Sequence, residues 1–281
     1  MPELPEVETV RRGLESRILG GTVTRVRLDR PDYVRHGSTS ARAMLRGATI
    51  TALIRRGKRL AILADDGRAL DLHLGMSGQV LTLTGRQDAG THAHATWWIT
   101  APDWQGRVVM RDPRRFGCLR THASHADLEA AWASLGPDAL TVRASTLQSR
   151  LGRSRAAIKT KLLDQHAVAG IGNIYADESL FRARIHPASR CCDLNAEAYA
   201  ALGRAVRLVL RRGIERGGST LSDFVDIDGQ QGGYQQSHTV YGRAGEPCRR
   251  CRTHLEHGLF AQRTTVWCPR CQRIEKPKLS T

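Results

Sequence analysis

The first residues of the chain combine an amine with two carboxylates at a spacing that can do chemistry on carbon. Removal of the initiator methionine would leave Pro2 as a free secondary amine. An α-amino group titrates near pH 8, so about a tenth of it is neutral at pH 7 and able to attack carbon. Glu3 and Glu6 lie within one helical turn of this amine. They are candidates for proton transfer, and they also fit the simpler role of balancing a helix dipole.

Four cysteines later in the chain have the spacing of a metal site. One CxxC pair is Cys248 and Cys251, and the other is Cys268 and Cys271. In a chain without a secretory signal this pattern predicts one structural Zn²⁺ held by four thiolates. Strand-like runs between the pairs predict a zinc-held β-hairpin, with Arg263 near its turn. A guanidinium there can reach a phosphate or remain a solvated surface group.

The charge of the chain points to a polyanionic partner. Its 281 residues include 43 Lys and Arg against 27 Asp and Glu, which gives a formal net charge of +16. Such an excess is typical of proteins that bind the phosphates of nucleic acid. An ordinary globular composition, 41% hydrophobic and 25% charged, excludes collagenous and wholly disordered chains. No apolar run reaches membrane-spanning length and no signal peptide is evident, so we expect a cytoplasmic protein that does not contact membranes.

The hydrophobic pattern predicts the elements that must position these groups. Residues 5–19 predict a short amphipathic helix ended by glycines. From about residue 22 to 121, short β-branched runs alternate with Gly, Asp and Pro turns, which predicts an antiparallel sandwich or barrel. The remaining segments are predicted, in chain order, as a helix at 125–135, a polar connection at 136–150, several helices at 151–217 and a long mobile loop at 218–237.

One helix start in the second half of the chain is suited to an anion. Gly170 and Gly172 break a helix, and Asn173 is predicted to cap the next one. Unpaired backbone N–H groups at such a start can bind phosphate.

Seven motifs in chain order resemble those of the bacterial formamidopyrimidine-DNA glycosylase family. They are MPELPEVETVRRGL, RRGKRL, LHLGMSG, DPRRFG, GIGNIYADE, GGSTL and the two cysteine pairs. The resemblance implies a bifunctional enzyme that excises oxidised purines from double-stranded DNA and then cuts the abasic site by β,δ-elimination. It also implies an α+β fold of two domains: an N-terminal antiparallel β-sandwich with flanking helices, and a C-terminal helix–two-turn–helix domain with a zinc-bound β-hairpin.

From this resemblance we predict four consecutive parts of the chain, and we expect the chain to act as a monomer. The parts are a catalytic sandwich domain at 1–135, a linker at 136–150, a helix–two-turn–helix domain with a lesion-covering loop at 151–237, and a zinc finger at 238–276.

The resemblance also implies the catalytic residues. Pro2 would attack C1′ of the damaged nucleotide, Glu3 would protonate or stabilise the opening sugar, and Glu6 would support the same site. Lys58 would contact the phosphate beside the lesion and assist the chemistry, and Arg263 would bind phosphate around the flipped nucleotide.

A base inside a duplex must be extruded before it can react, at a cost of a few kcal/mol. The resemblance implies that Met76 and Phe116 fill the gap and that Arg114 bonds the orphaned base, although residue type alone favours core positions for Met and Phe.

The chain has Ala93 where we expect an acidic residue between two histidines. The further DNA contacts that we predict are His92, Arg111, Arg115, Lys159, Asn173 and Thr220.

The sequence leaves two other functions open. An endonuclease VIII-like glycosylase would act on oxidised pyrimidines. The purine-directed branch is favoured by Leu4, by Met76 together with the DPRRFG motif, and by the long 218–237 loop. A non-catalytic, zinc-stabilised protein that binds damaged DNA would explain the charge and the cysteines, but it gives no reason for the PELPE terminus.

Retention of Met1 tests the terminal amine directly. An amide bond from Met1 removes the basicity of the Pro2 nitrogen, so we expect protein that keeps Met1 to show no strand cleavage. Intact-mass measurement identifies each form, and the processed form serves as the control. Full activity in a preparation that retains Met1 throughout would contradict a role for this amine.

Overall fold

The computed structural model describes residues 1–274, which divide between two units. The first unit comprises Met1–Ser134 and Gly213–Gln235, and the second comprises residues 135–212 and the chain from Gln236 onward. Within the described range, no helix is long and apolar enough to cross a membrane. Residues 275 and 276, the end of the predicted zinc segment, lie outside the described residues.

The first unit begins with helix α1, Leu4–Ile18, within one residue of the predicted bounds. Its apolar residues recur every three or four positions, so they share one face. Gly20 follows the helix with a φ of +75°, a conformation that L side chains disfavour. The residues of the apolar face are at most 1% exposed: Leu4, Val7, Val10, Leu14 and Ile18.

Nine strands of the described chain form two sheets in this unit. One sheet has the order β1-β7-β8-β6 and the other the order β2-β9-β5-β4-β3. The pairings are antiparallel except for the parallel pair of β2 and β9. The strands are β1 (Thr22–Leu28), β2 (Val34–His36), β3 (Ile50–Arg56), β4 (Arg59–Ala64), β5 (Ala69–His73), β6 (Gln79–Leu83), β7 (Ala93–Ala101), β8 (Trp104–Arg111) and β9 (Cys118–His122).

The predicted sandwich is confirmed, and it contains two strands that the pattern missed. Strand β2 has only three residues, and β9 is buried without a simple alternation of apolar and polar residues. Both sheets and α1 contribute to one hydrophobic core. Phe224 and Ile227, 6% and 4% exposed, belong to the same core. The later segment 213–235 is therefore part of the first unit.

Helix α2, His125–Trp132, packs against β5 and β9. Its first turn is capped by Ser124, whose hydroxyl accepts a hydrogen bond from a backbone N–H. The Trp132 indole donates to the Asp71 carboxylate at 3.3 Å, and Arg59 pairs with the same carboxylate at 2.9 Å. This buried polar contact fixes the helix on the sheet, next to the turn between β3 and β4.

The second unit contains four α-helices and a 3-10 helix, Cys191–Asp193, in its described residues, followed by a two-stranded hairpin. Helix α3 begins inside the segment that was predicted as a polar connection. The prediction missed it because only Leu147 and Leu151 are apolar and buried, and the polar residues between them obscure the helical period. The predicted domain boundaries stay predictions. The elements are α3 (Ala144–Leu151), α4 (Ile158–Leu163), α5 (Asn173–Ala183), α6 (Ala196–Glu215), whose last three residues count with the first unit, β10 (Glu256–Phe260) and β11 (Arg263–Trp267).

Candidate functional site

The amino terminus is held by one buried carboxylate. Pro2 and Glu3 are buried, and the Glu3 backbone N–H donates to Glu6 Oε2 at 2.8 Å. The other oxygen, Oε1, accepts from the backbone N–H of Ser219 at 2.7 Å. Gly218 has a φ of +83°, and a Cβ there would lie 2.9 Å from Glu6 Oε1. Glu6 therefore joins the start of α1 to residues 218–219, and only glycine fits beside it.

Lys58 lies in the tight turn between β3 and β4. Arg56 pairs with Arg59 across this turn, and Gly57 has a φ of +59°. The side chain of Lys58 is half-buried. Arg55 donates from Nη1 to the Gly57 carbonyl at 2.9 Å, which fixes the backbone next to the lysine.

A buried ion cluster ties this turn to α1. The Glu8 carboxylate pairs with Nε of Arg55 at 2.9 Å, of Arg11 at 3.1 Å and of Arg12 at 2.8 Å. Burial raises the pKa of Glu8, but hydrogen bonds from the arginines outweigh it and bring the pKa to about 2. The sequence pattern alone did not identify Glu8 as the centre of an ion cluster. Its spacing to Arg11 and Arg12 was a signal, whereas Arg55 is 47 residues away and left none.

The surroundings of Lys58 are electropositive. Burial lowers the pKa of His73, and together with the nearby charges of Arg59, Lys58 and Arg35 it brings this pKa to about 4. His73 is therefore neutral at neutral pH. A phosphate is the kind of ligand that such a cationic region attracts.

Asp112 organises the DPRRFG loop. Its carboxylate is fully buried and accepts from Tyr33 Oη at 3.1 Å, Ser77 Oγ at 2.6 Å and the Gly117 backbone N–H at 2.7 Å. Ser77 Oγ in turn accepts from the Arg114 backbone N–H at 3.2 Å. One network thus fixes both this loop and the LHLGMSG loop.

The two loops also meet directly. Gly75 has a φ of +62°, and a Cβ at this position would overlap the backbone of Gly117. Phe116 is 49% exposed, and the Arg114 guanidinium lies 4.8 Å from its ring centroid. Met76 is half-buried and lies outside the hydrophobic core cluster. Neither Met76 nor Phe116 occupies the core position that residue type alone favours.

The histidines at 92 and 94 occupy different environments. His92 is exposed with a φ of +65°. His94 is 5% exposed, and its Nε2 lies 2.9 Å from the Asp112 carbonyl oxygen. His94 therefore supports the DPRRFG loop from inside, and His92 faces solvent.

The other predicted contacts of the first unit differ in exposure. Arg111 is half-buried and donates from Nε to the Thr91 carbonyl at 3.0 Å. Arg115 is exposed and pairs with the Asp32 carboxylate. The Thr220 hydroxyl donates to the Phe224 carbonyl of its own loop at 2.8 Å.

In the second unit, Asn173 is the first residue of α5 and Gly172 is the capping residue. The predicted side-chain cap is therefore wrong. The Asn173 amide instead donates to the Thr264 carbonyl of β11 at 2.9 Å. This hydrogen bond places the helix start beside the zinc hairpin.

Arg263 begins strand β11, directly after the turn of that hairpin. It pairs with Phe260, and Ala261 and Gln262 between them both have positive φ, as in a type I′ turn. The Arg263 side chain is exposed. The hairpin presents a guanidinium at its tip, as the sequence predicts.

Lys159 requires a correction. Its side chain is fully buried, so it does not reach a surface phosphate as we expected. Its Nζ lies 2.6 Å from Asp177 Oδ1 and donates to Thr265 Oγ1 at 2.6 Å. Burial raises the pKa of Asp177 to about 7, against the opposing effect of Lys159. The pair fixes β11, of which Arg263 is the first residue, against α4 and α5.

The four cysteines converge. Their sulfur atoms all lie within 4.8 Å of one another. Tetrahedral zinc with Zn–S bonds of about 2.3 Å separates its sulfurs by about 3.8 Å, so the cluster fits one ion. Burial and the neighbouring thiols raise the pKa of Cys271 to about 12. Cys248, Cys251, Cys268 and Cys271 are the ligands of one structural zinc.

The chain matches three family models that together span most of its length. They describe the formamidopyrimidine-DNA glycosylase N-terminal domain at residues 1–119, the H2TH domain of the same glycosylase at 135–225, and a zinc finger found in FPG and IleRS at 245–274.

Curated relatives and solved structures agree with these models. A formamidopyrimidine-DNA glycosylase of Xanthomonas campestris pv. campestris is 44% identical over 276 residues, covering 97% of this chain and 100% of the relative. A single-residue mutant of the Lactococcus lactis FPG, in complex with DNA containing Fapy-dG, has a TM-score of 0.88 at 33% identity, covering 97% of this chain and 100% of that one. The L. lactis Fpg bound to abasic-site DNA has a TM-score of 0.87 at 33% identity, with 96% and 99% covered.

Loss of zinc should weaken DNA binding without altering the terminal amine. The hairpin belongs to a small core that includes two of the cysteines and Phe181 of α5, so the metal supplies much of its folding free energy. We expect chelation or Cys268→Ser to lower affinity for duplex DNA by about tenfold or more. Fluorescence anisotropy with labelled duplex measures this, and Cys192→Ser, at an exposed cysteine outside the cluster, is the control. Unchanged affinity of the metal-free protein would contradict the prediction.

Proposed function

The chain belongs to the formamidopyrimidine-DNA glycosylase family and is a DNA glycosylase of base excision repair; from this premise we propose that Pro2 is its nucleophile. The observation that carries the proposal is the bonding of Glu6, which accepts from both Glu3 and Ser219. This carboxylate fixes the backbone immediately after the Pro2 nitrogen. An amine held in one place meets the geometric demand of nucleophilic catalysis.

The reaction follows from the chemistry of a secondary amine. The Pro2 nitrogen bonds to C1′ of the damaged nucleotide while the C1′–base bond breaks and the base departs with its electron pair. Glu3 protonates or stabilises the sugar as its ring opens, which leaves an iminium ion at C1′. The iminium acidifies the C2′ proton, so the 3′ phosphate leaves by β-elimination. The 5′ phosphate then leaves by δ-elimination.

In our proposal, cationic and amide side chains of both units bind phosphates of the DNA. Lys58 contacts the phosphate beside the lesion, and the Glu8–Arg55 pair holds its turn in place. Asn173 and Arg263 bind phosphates from the second unit, where the Asn173 amide and the strand of Arg263 are joined through Thr264. Exposed His92, Arg115 and the half-buried Arg111 add phosphate contacts in the first unit.

Extrusion of the base uses the two loops that Asp112 organises. Met76 and Phe116 fill the gap in the duplex, and Arg114 bonds the orphaned base from its position over the Phe116 ring. The loop at 218–237, which contains Thr220, covers the extruded base. The exposure of Phe116 supports this role, because a buried aromatic ring could not enter a base stack.

The substrate that we propose is double-stranded DNA with an oxidised purine or an abasic site. Relatives of known structure were crystallised with DNA containing Fapy-dG, an abasic site and an oxidised pyrimidine. We further propose that the chain acts as a monomer on DNA of the nucleoid, in the cytoplasm, and that its domains follow the predicted boundaries.

Borohydride trapping tests the nucleophile. Reduction of the iminium should link the wild-type chain covalently to a duplex that contains 8-oxoguanine. We expect Pro2→Gly to lower the trapped fraction by at least about tenfold, since a primary amine in a looser backbone replaces a rigid secondary one. Pro102→Gly, at an exposed turn proline, is the control. Equal trapping by Pro2→Gly would place the nucleophile elsewhere.

Substrate preference separates the purine-directed reaction from its alternative. We expect excision of 8-oxoguanine opposite cytosine to exceed that of thymine glycol by about tenfold or more in kcat/KM. Single-turnover assays on matched duplexes measure both. Faster release of thymine glycol would assign the chain to oxidised pyrimidines.

A further inference from the structure

The loop at 218–235 is attached to α1 at a second point, well beyond Glu6. Ile227 is 4% exposed and lies in the hydrophobic core of the first unit. Gly13 of α1 provides the space for it, because a Cβ at Gly13 would lie 2.9 Å from both Cδ1 and Cγ1 of Ile227. The side chain of Ile227 therefore occupies a notch in the helix that glycine leaves open.

Polar contacts reinforce this attachment. The Thr82 backbone N–H donates to the Ile227 carbonyl at 2.8 Å, from β6 at the edge of the four-stranded sheet. Arg17 Nη2 of α1 pairs with Asp228 Oδ1 at 2.7 Å. Gln79 of β6 donates to the Asp223 carbonyl at 2.5 Å. The loop is thus fixed to both α1 and β6 around Ile227.

Between the two attachments runs a short arm, residues 219–226. Glu6 and Gly13 are seven residues apart on α1, about 10 Å along its axis, so the arm is attached near both ends of a rigid support. Inside the loop, the Thr220 hydroxyl donates to the Phe224 carbonyl at 2.8 Å and accepts from the Gly232 N–H at 2.9 Å. These bonds transmit the position of the arm's attached end to Thr220.

We propose that Ile227 is a positioning residue for base excision: by filling the Gly13 notch it sets the arm 219–226 over the extruded base. The inference rests on the proposed covering role of this loop. An abasic nucleotide has no base for the arm to contact, whereas Pro2 and Glu3 act on the sugar in both substrates. Ile227 is therefore required for release of a damaged base and dispensable for cleavage at a site that has already lost it.

The test compares two single-turnover rates in one protein. We expect Ile227→Ala to slow 8-oxoguanine excision by about tenfold while cleavage of a preformed abasic site changes by less than about twofold. Ile50→Ala is the matched control, because Ile50 is 1% exposed in the same core and belongs to β3 rather than to the loop. If Ile227→Ala acts only by destabilising the fold, then Ile50→Ala with an equal loss of Tm will change the ratio of excision to abasic-site cleavage in the same way.

A second variant tests the notch without removing core volume. Gly13→Ala adds a methyl group where Ile227 lies, so we expect the same selective loss of excision. The gain in helix propensity offsets much of the overpacking, so we expect a smaller loss of Tm than in Ile227→Ala. Because both changes act through one contact, the loss in Gly13→Ala/Ile227→Ala should be smaller than the product of the single losses.

The outcomes distinguish this inference from the proposed function. Wild-type protein that is inactive on both substrates contradicts the proposed function. Wild-type activity with equal losses on both substrates, or with no loss in Ile227→Ala, overturns the role of Ile227 alone.

Discussion

The burial of the Glu6 charge is the constraint on which the first unit depends. A buried carboxylate is unfavourable by several kcal/mol unless hydrogen bonds replace its lost hydration. Two backbone N–H groups do so here, from Glu3 and Ser219, and bonds to a charged group contribute about 1.5–3 kcal/mol each. The position in the first turn of α1 adds the favourable end of the helix dipole. The amino terminus, the helix and the 218–219 backbone are held together because separating them would remove these two hydrogen bonds from a buried charge.

The same arrangement recurs through a chain whose net charge is strongly positive. Glu8 gathers arginines beside the Lys58 turn, Asp112 fixes the loops of Met76 and Phe116, and Asp177 holds Lys159 against the zinc hairpin. Each of these carboxylates is buried, and each orders the backbone next to a residue proposed to contact DNA. The acidic residues therefore supply geometry, and the surplus of arginine supplies affinity for phosphate.

The local sequence pattern was sufficient to predict part of the fold and of the candidate site. The CxxC pairs, the PELPE terminus and the alternation of the longer strands are properties of neighbouring residues, so sequence predicted the zinc ligands, α1 and most of the sandwich. Pairings across the fold were not visible. Glu8 meets Arg55 over 47 residues, and Lys159 is one of the few lysines yet is used inside the structure. A motif match identifies the residue, but only packing decides whether its side chain reaches the surface.

The proposed Pro2 nucleophile would explain why so many contacts converge on α1. The Pro2 nitrogen belongs to the backbone, so no side-chain rotation can aim it, unlike a lysine or a cysteine. Its direction is set by Glu3, by the first turn of the helix and by whatever holds that helix. Core packing, the Glu8 cluster and the Ile227 notch all act on this one element. A reaction that begins at Pro2 would thus obtain its precision from a rigid helix, and the loop that shares this helix would be positioned with the amine rather than independently of it.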